Sequence, residues 1–311
     1  MTPSHPLRQE SGSTHLDSTA QLMDRITSQL GTQLTLVSPD GRRRPAPTSR
    51  PDPHPTLVLV AHGSRDPRAL ATVTALAERV REQRPGLAVR LGHIELNEPL
   101  LTGTLAELEL DRLAVPEDRT AVLVPLLLGR GQHVKRDIPA AAAGVPGLDI
   151  RVAAPLGPHP LLAEALHARL VEAGWPARHT RTGARRRHAV VLAAAGSRDP
   201  ESAADTETAA ALLAERLGVP VVPAYAAPTA ACPRTVPQAL ESLAAQGRTR
   251  TAVAAYFTAP GRFAGQSVAA APWLAAAPLG PHPALARLVL HRYDQARTAP
   301  APARRRRLSS V

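Results

Sequence analysis

Three side chains in this sequence have the types and placement to handle a divalent transition metal: His62, Glu95 and His133. His62 stands directly after the apolar run 57–61 (LVLVA), Glu95 lies in GHIELNEP, and His133 closes the glycine-rich segment LGRGQH. Imidazole and carboxylate together suit first-row divalent ions, and imidazole also exchanges protons near neutral pH. His93, two residues before Glu95, is a further candidate ligand, because side chains on a strand share a face every two residues. Ser64, Arg65, Arg130, Lys135 and Arg136 surround these positions as candidate substrate-binding residues, where cations would suit an anionic ligand.

The chain carries its own control. Residues 57–67 read LVLVAHGSRDP and residues 190–200 read VVLAAAGSRDP, so that Ser64 faces Ser197, Asp66 faces Asp199, and His62 faces Ala195. PLGPHP occurs at 155–160 and again at 278–283. An internal repeat has to be settled before any other reading. Opposite His133 the loop 259–268 (APGRFAGQSV) has no histidine, and opposite Glu95 the pattern VVPAYAAP places Ala226 nearest. The shared residues are those of turns and helix caps, and the lost ones are the metal donors. Ser64 and Asp66 therefore read first as caps, and His159 and His282 as parts of a structural turn. His54, His167, His179, His188 and His291 are assigned no role.

Strands alternate with helices along both copies, which predicts an α/β fold with parallel sheets flanked by helices. In the first copy strands are expected at 57–61, 89–96, 121–127 and 150–153, with helices at 68–83, 99–108 and 160–172 and a short helical stretch around 137–139. In the second, strands are expected at 189–194, 219–225 and 251–256, with helices at 201–217, 233–246, 262–275 and 283–292. Asp66-Pro67 is a helix start, a capping carboxylate followed by proline in the first turn. Ligands of open parallel sheets bind beyond the carboxyl ends of the strands, where His62, Glu95 and His133 arrive together.

Composition narrows the class. The 311 residues suggest about two domains, and a single cysteine excludes an internal disulfide framework or a cysteine metal cluster. The net charge is +11, but residues 1–50, 176–188 and 297–311 together carry +12, leaving the remainder near neutral. The basicity thus sits in a disordered extension over residues 1–55 with a weak helical stretch at 19–30, an Arg-rich linker at 176–188, and a basic tail at 296–311. No aromatic interleaving or groove-binding motif supports a nucleic-acid partner. No apolar run reaches membrane-spanning length and the first residues lack a secretory h-region, so a cytoplasmic protein is expected. HGSR is not the Arg-His-Gly order of histidine phosphatases, and LGRGQH lacks the Lys-Ser/Thr ending of a phosphate-cradling loop.

LVLVAHGSRDPRA, GHIELNEP and VPLLLGRGQHVKRDIPAA together resemble the sirohydrochlorin chelatases, the class II chelatases of siroheme and cobalamin biosynthesis, over roughly residues 56–292. The resemblance implies two tandem chelatase-like domains facing across a cleft, a catalytic one at 56–175 and a degenerate repeat at 189–295. His62 and His133 match the family's metal-handling histidines and Glu95 its acidic residue on the second strand. The implied reaction is insertion of Fe2+ into sirohydrochlorin to give siroheme. Insertion of Co2+ for cobalamin synthesis is the alternative within the same chemistry, and a non-catalytic metal or tetrapyrrole carrier lies outside it. The metal is substrate, no organic cofactor is expected, and the tetrapyrrole is the partner; nucleic acid and membrane are not, and the oligomeric state stays open, a monomer being compatible with the sequence.

Overall fold

In a computed structural model of the chain, the described residues are 54–114, 120–176 and 186–299, apart from the side chains of 112–114. They belong to one compact unit, Asp52–Val311. The expected features at 1–53, most of the Arg-rich linker and the end of the basic tail lie outside the described residues.

The first half runs β1 (Thr56–Ala61), α1 (Pro67–Gln83), β2 (Val89–His93), α2 (Leu101–Ala114), β3 (Thr120–Pro125), a π-helical turn (His133–Asp137), α3 (Ile138–Ala143), β4 (Asp149–Val152) and α4 (Pro160–Glu172). The second runs β5 (His188–Ala194), α5 (Pro200–Leu217), β6 (Val221–Tyr225), α6 (Val236–Ala245), β7 (Arg250–Ala255), α7 (Arg262–Ala269), β8 (Leu274–Ala276) and α8 (Pro283–Thr298). Each half forms a four-stranded, wholly parallel sheet, ordered β2-β1-β3-β4 and β6-β5-β7-β8.

The alternation of β1 shows how the layers are built. Leu57, Leu59 and Ala61 point to one face and join α1, α4, α5 and α8 in an apolar layer that continues into the second sheet. Val58 and Val60 point to the other face and pack with Leu101, Leu105 and Leu108 of α2 and Ile138 of α3. The second sheet mirrors this, with Ala189, Val191 and Ala193 of β5 facing Val236, Ala239 and Leu243 of α6. Strands buried on both faces read as continuous apolar runs, and β1 and β5 are buried along their whole lengths. The two expected domains therefore share one central helical layer, and the separation between them is confined to the carboxyl ends of the strands.

Several boundaries differ from the sequence-based expectation. β2 ends at His93 rather than Leu96, and Leu96 adopts φ +67°. The expected helix at 262–275 stops at Ala269; Pro272 cannot continue it, and Leu274–Ala276 pairs with β7 instead. His188, expected in the linker, is the buried first residue of β5, and α8 extends to Thr298, past the expected start of the tail.

Candidate functional site

The turn after β1 is held by glycine. Gly63 has φ +102°, and a Cβ on it would lie 1.7 Å from the carbonyl oxygen of Glu95. This contact brings the β1 and β2 loops together, and with them His62 and Glu95. Asn97 ties the same loops, its Oδ1 accepting from the Ser64 amide at 2.6 Å. Glu95 itself pairs onward from β2, its amide donating to the His62 carbonyl at 3.0 Å. Leu96 then turns the chain in a conformation uncommon outside glycine. That is why His93 and Glu95, expected on one strand face, end in different surroundings.

His62 and His133 meet edge to face, with ring centroids 4.7 Å apart. Each ring has a carboxylate at Nδ1. Glu95 Oε1 is 3.5 Å from His62 Nδ1, and Asp137 Oδ2 is 2.6 Å from His133 Nδ1. A carboxylate at one ring nitrogen orients the ring and makes the other nitrogen the better donor to a metal. Glu95 is thus a partner of His62 in this geometry, and no group of three or more metal-donor side chains is gathered into a cage among the described residues. Asp137 was not singled out from the sequence. Its signal was the spacing of four from His133, which places both on one side of the π-helical turn.

His93 is buried, 1% exposed, with Nδ1 3.2 Å from the Pro99 carbonyl and Nε2 without a hydrogen-bond partner. It also lines the cavity, at the carboxyl end of β2.

The expected substrate-binding residues divide. Ser64 lines the cavity, but its hydroxyl accepts from the Asp66 amide at 3.1 Å, a turn that Ser197 and Asp199 repeat at the same distance. Arg65 is exposed and does not line the cavity. Arg130 is already committed, its amide and guanidinium reaching buried Asp205 at 2.7–3.2 Å and Glu201 at 3.3 Å. Lys135 bridges Asp199 and Glu201, both at 2.5 Å. These ion pairs join the two halves, raise the Lys135 and Arg130 pKa values through their carboxylate partners, and lower that of Asp199. The geometry therefore corrects the expectation for Arg130 and Lys135, which clamp the halves rather than present free charge. Arg136 remains exposed at the cavity.

Equivalent hydrogen bonds set the register between the halves. The Leu126 amide donates to Val60 and the Tyr256 amide to Ala193; Lys135 donates to Gly131 and Gly265 to Gly261. His133 therefore corresponds to Phe263, Gln132 to Arg262 and Asp137 to Ser267. Glu95 donates to His62 as Ala227 donates to Ala195, so Glu95 faces Ala227 and not Ala226. Both imidazoles and both carboxylates are replaced in the second half. The turns that hold them persist: Gly196 has φ +98°, and a Cβ there would meet the Ala227 carbonyl at 2.1 Å.

Between the carboxyl ends of the two sheets lies a cavity of about 1000 Å³. One wall carries His62, His133 and Leu126–Leu128, the other Ala195, Arg198, Phe257, Arg262 and Phe263. Burial pushes the Tyr225 phenol up to about 12 and Tyr256 higher still, so both line the cavity in neutral form.

The profile of the CbiX family matches residues 56–173 and again 189–296. A sirohydrochlorin cobaltochelatase from Methanococcus aeolicus is 35% identical over 83 residues, 27% of this chain and 54% of that one. A sirohydrochlorin ferrochelatase from Bacillus subtilis is 30% identical over 176 residues, 54% of this chain and 62% of the other. These matches thus span roughly half to three fifths of each relative's length. The structure of SirB from Bacillus subtilis with Fe3+ superposes with a TM-score of 0.62 at 23% identity, covering 79% of this chain and 96% of SirB, a likeness of fold.

Proposed function

The chain belongs to the CbiX family, and from that premise we propose that it is a sirohydrochlorin chelatase, inserting Fe2+ into the metal-free macrocycle to give siroheme. The observation that carries the reading is the pair of imidazoles with carboxylates at Nδ1, His62–Glu95 and His133–Asp137, set edge to face 4.7 Å apart at one wall of a cavity wide enough for a tetrapyrrole.

Insertion exchanges two pyrrolic protons for one divalent ion, without change of oxidation state. His133, with Nδ1 hydrogen-bonded to Asp137, and His62, with Glu95 3.5 Å from Nδ1, offer Nε2 to the incoming ion or to a departing proton. Glu95 and Asp137 stabilise the imidazolium formed when a ring takes up that proton. A half-set of donors suits this task, because a protein that completed the metal's coordination sphere would compete with the macrocycle for it. As the ring nitrogens replace water around the ion, the apolar stretch Leu126–Leu128 of the same wall offers its departing hydration shell no competing partner.

A second reading, insertion of Co2+, is favoured by the cobaltochelatase relative, and imidazole donors suit both ions. Location in the cytoplasm and action as a monomer belong to the same proposal; no described helix is long and apolar enough to cross a membrane. The test is anaerobic insertion into sirohydrochlorin followed by absorbance, with Fe2+ and Co2+ in parallel. Faster turnover with Fe2+ supports the siroheme reading, faster turnover with Co2+ replaces it with the cobalamin one. No acceleration by either ion overturns both and leaves a carrier.

A further inference from the structure

The second half has lost the metal donors, yet its wall of the cavity is not blank. Both phenylalanines of the chain, Phe257 and Phe263, and two of its three tyrosines, Tyr225 and Tyr256, line the cavity, and all four belong to the second half. The first half contributes no Phe, Tyr or Trp to the lining. Phe263 occupies the position of His133, and the residue is left 37% exposed where a packing residue would be covered. Ala195 and Ala227 replace His62 and Glu95, which lowers the wall around it.

The second half also brings cations to the cavity, beside Arg136 of the first half. Arg262 stands where the first half has Gln132, and its guanidinium lies 5.8 Å from the centre of the Phe263 ring. Arg198 lines the cavity, although its counterpart Arg65 does not. Neither Arg198 nor Arg262 has an ion-pair partner among the described residues, in contrast to Arg130 and Lys135, whose charges are spent on joining the halves.

We propose that the second half is the tetrapyrrole-holding wall, with Phe263 and Phe257 as the platform for the ring face and Arg262 and Arg198 as the partners of its peripheral carboxylates. A flat conjugated ring needs an apolar face to lie on and cations at its edge, and this wall supplies both. A ring lying there turns its opposite face toward His62 and His133, so metal enters from the side opposite the platform. The repeat has therefore divided the labour: the first copy handles the metal and the second holds the macrocycle. This proposal rests on the chelatase reading and adds to it the residues that bind the substrate.

The test is anaerobic titration of the full chain with metal-free sirohydrochlorin, followed by absorbance, with the unfolding midpoint of each variant measured alongside. Phe263→Ala and Arg262→Gln should each raise Kd roughly ten-fold, a loss typical of a stacking or charge-assisted contact. Phe263→Trp should bind close to wild type, and His62→Ala should keep Kd within about two-fold while losing insertion. Wild-type affinity in both Phe263→Ala and Arg262→Gln overturns the proposal and leaves the chelatase reading standing. Loss of affinity in His62→Ala as large as in Phe263→Ala also overturns it, since the ring would then be held by the first half. Failure of the wild-type protein to bind sirohydrochlorin removes this proposal and the chelatase reading together.

Discussion

Asp137 holds His133 through a 2.6 Å contact between Oδ2 and Nδ1 across the π-helical turn that follows β3. A turn of this kind inserts an extra residue into the helical spiral, and such turns recur at functional sites. Here it places a carboxylate behind the imidazole and leaves Nε2 for chemistry. Asp137→Ala should lower kcat about 10- to 100-fold, the usual cost of removing a carboxylate behind a metal-handling histidine. Asp137→Asn should recover part of that loss, since an amide oxygen can still accept from Nδ1. Steady-state insertion kinetics with both variants check this; unchanged kcat in Asp137→Ala would remove Asp137 from the site.

Gly63 and Gly196 make a matched pair of probes. In each, an added Cβ would collide with a backbone carbonyl, that of Glu95 at 1.7 Å or that of Ala227 at 2.1 Å. Both substitutions to alanine should lower the unfolding midpoint, because the loop must move and the backbone is already in the region that disfavours side chains. Only Gly63→Ala displaces the Glu95 carbonyl next to His62, so it alone should cost about ten-fold or more in kcat through misplacement of the pair. Equal kcat in the two variants would count against the role of the His62–Glu95 geometry.

The fold and the site were legible to different degrees for physical reasons. β1 and β5 are continuous apolar runs because both faces are buried, and Asp66-Pro67 and Asp199-Pro200 announce their helices by capping; each N-cap carboxylate accepts from the amide two residues on. His62, Glu95 and His133 were legible because the second copy lacks them. The carboxyl end of β2 was not, since Leu96 turns the chain with a φ that no residue type signals there. The fates of Arg130 and Lys135 were equally hidden, because Asp199, Glu201 and Asp205 lie in the other half and only tertiary packing brings them near. Asn97 was hidden as a partner because only the packing of two loops brings it to Ser64, whereas Asp137 was within reach of sequence reading through its spacing of four from His133.

In both halves the histidine of PLGPHP caps the helix that follows. His159 Nδ1 accepts from the Leu161 amide and His282 Nδ1 from the Ala284 amide, each at 3.1 Å, capping α4 and α8. Accepting requires a neutral ring, and burial, followed by the charges of Arg292 and Arg169 respectively, pushes both pKa values below the ordinary histidine range. The unfolded chain therefore takes up protons that the folded one resists. Their contribution is fully present above the ordinary value of about 6.5 and is lost as pH falls through the lowered folded values. The unfolding midpoint should drop as pH falls below about 6.5, and the double variant His159→Asn, His282→Asn, which keeps a capping side chain, should flatten that drop. An identical pH profile in the double variant would refute the assignment.

Lys135, the chain's only lysine, sits on the same turn as His133 and reaches Asp199 and Glu201 of the other half. Lys135→Met should lower the unfolding midpoint modestly, because the pair is partly exposed and screened, and the loss should shrink in high salt. A larger effect on insertion than on stability would show that the clamp also sets the width of the cavity. A midpoint equal to wild type at low salt would show that the bridge contributes nothing to holding the halves.

Metal insertion is the role proposed for the two imidazoles of the first half, each with a carboxylate at Nδ1. The most direct measurement is the anaerobic rate of metal insertion into sirohydrochlorin by the wild-type protein, His62→Ala and His133→Ala, each with its unfolding midpoint recorded. Turnover above the spontaneous rate is expected in the wild type, and a fall to that spontaneous rate in both variants with little change in midpoint, since both side chains are open to the cavity. Wild-type turnover in either folded variant would contradict it.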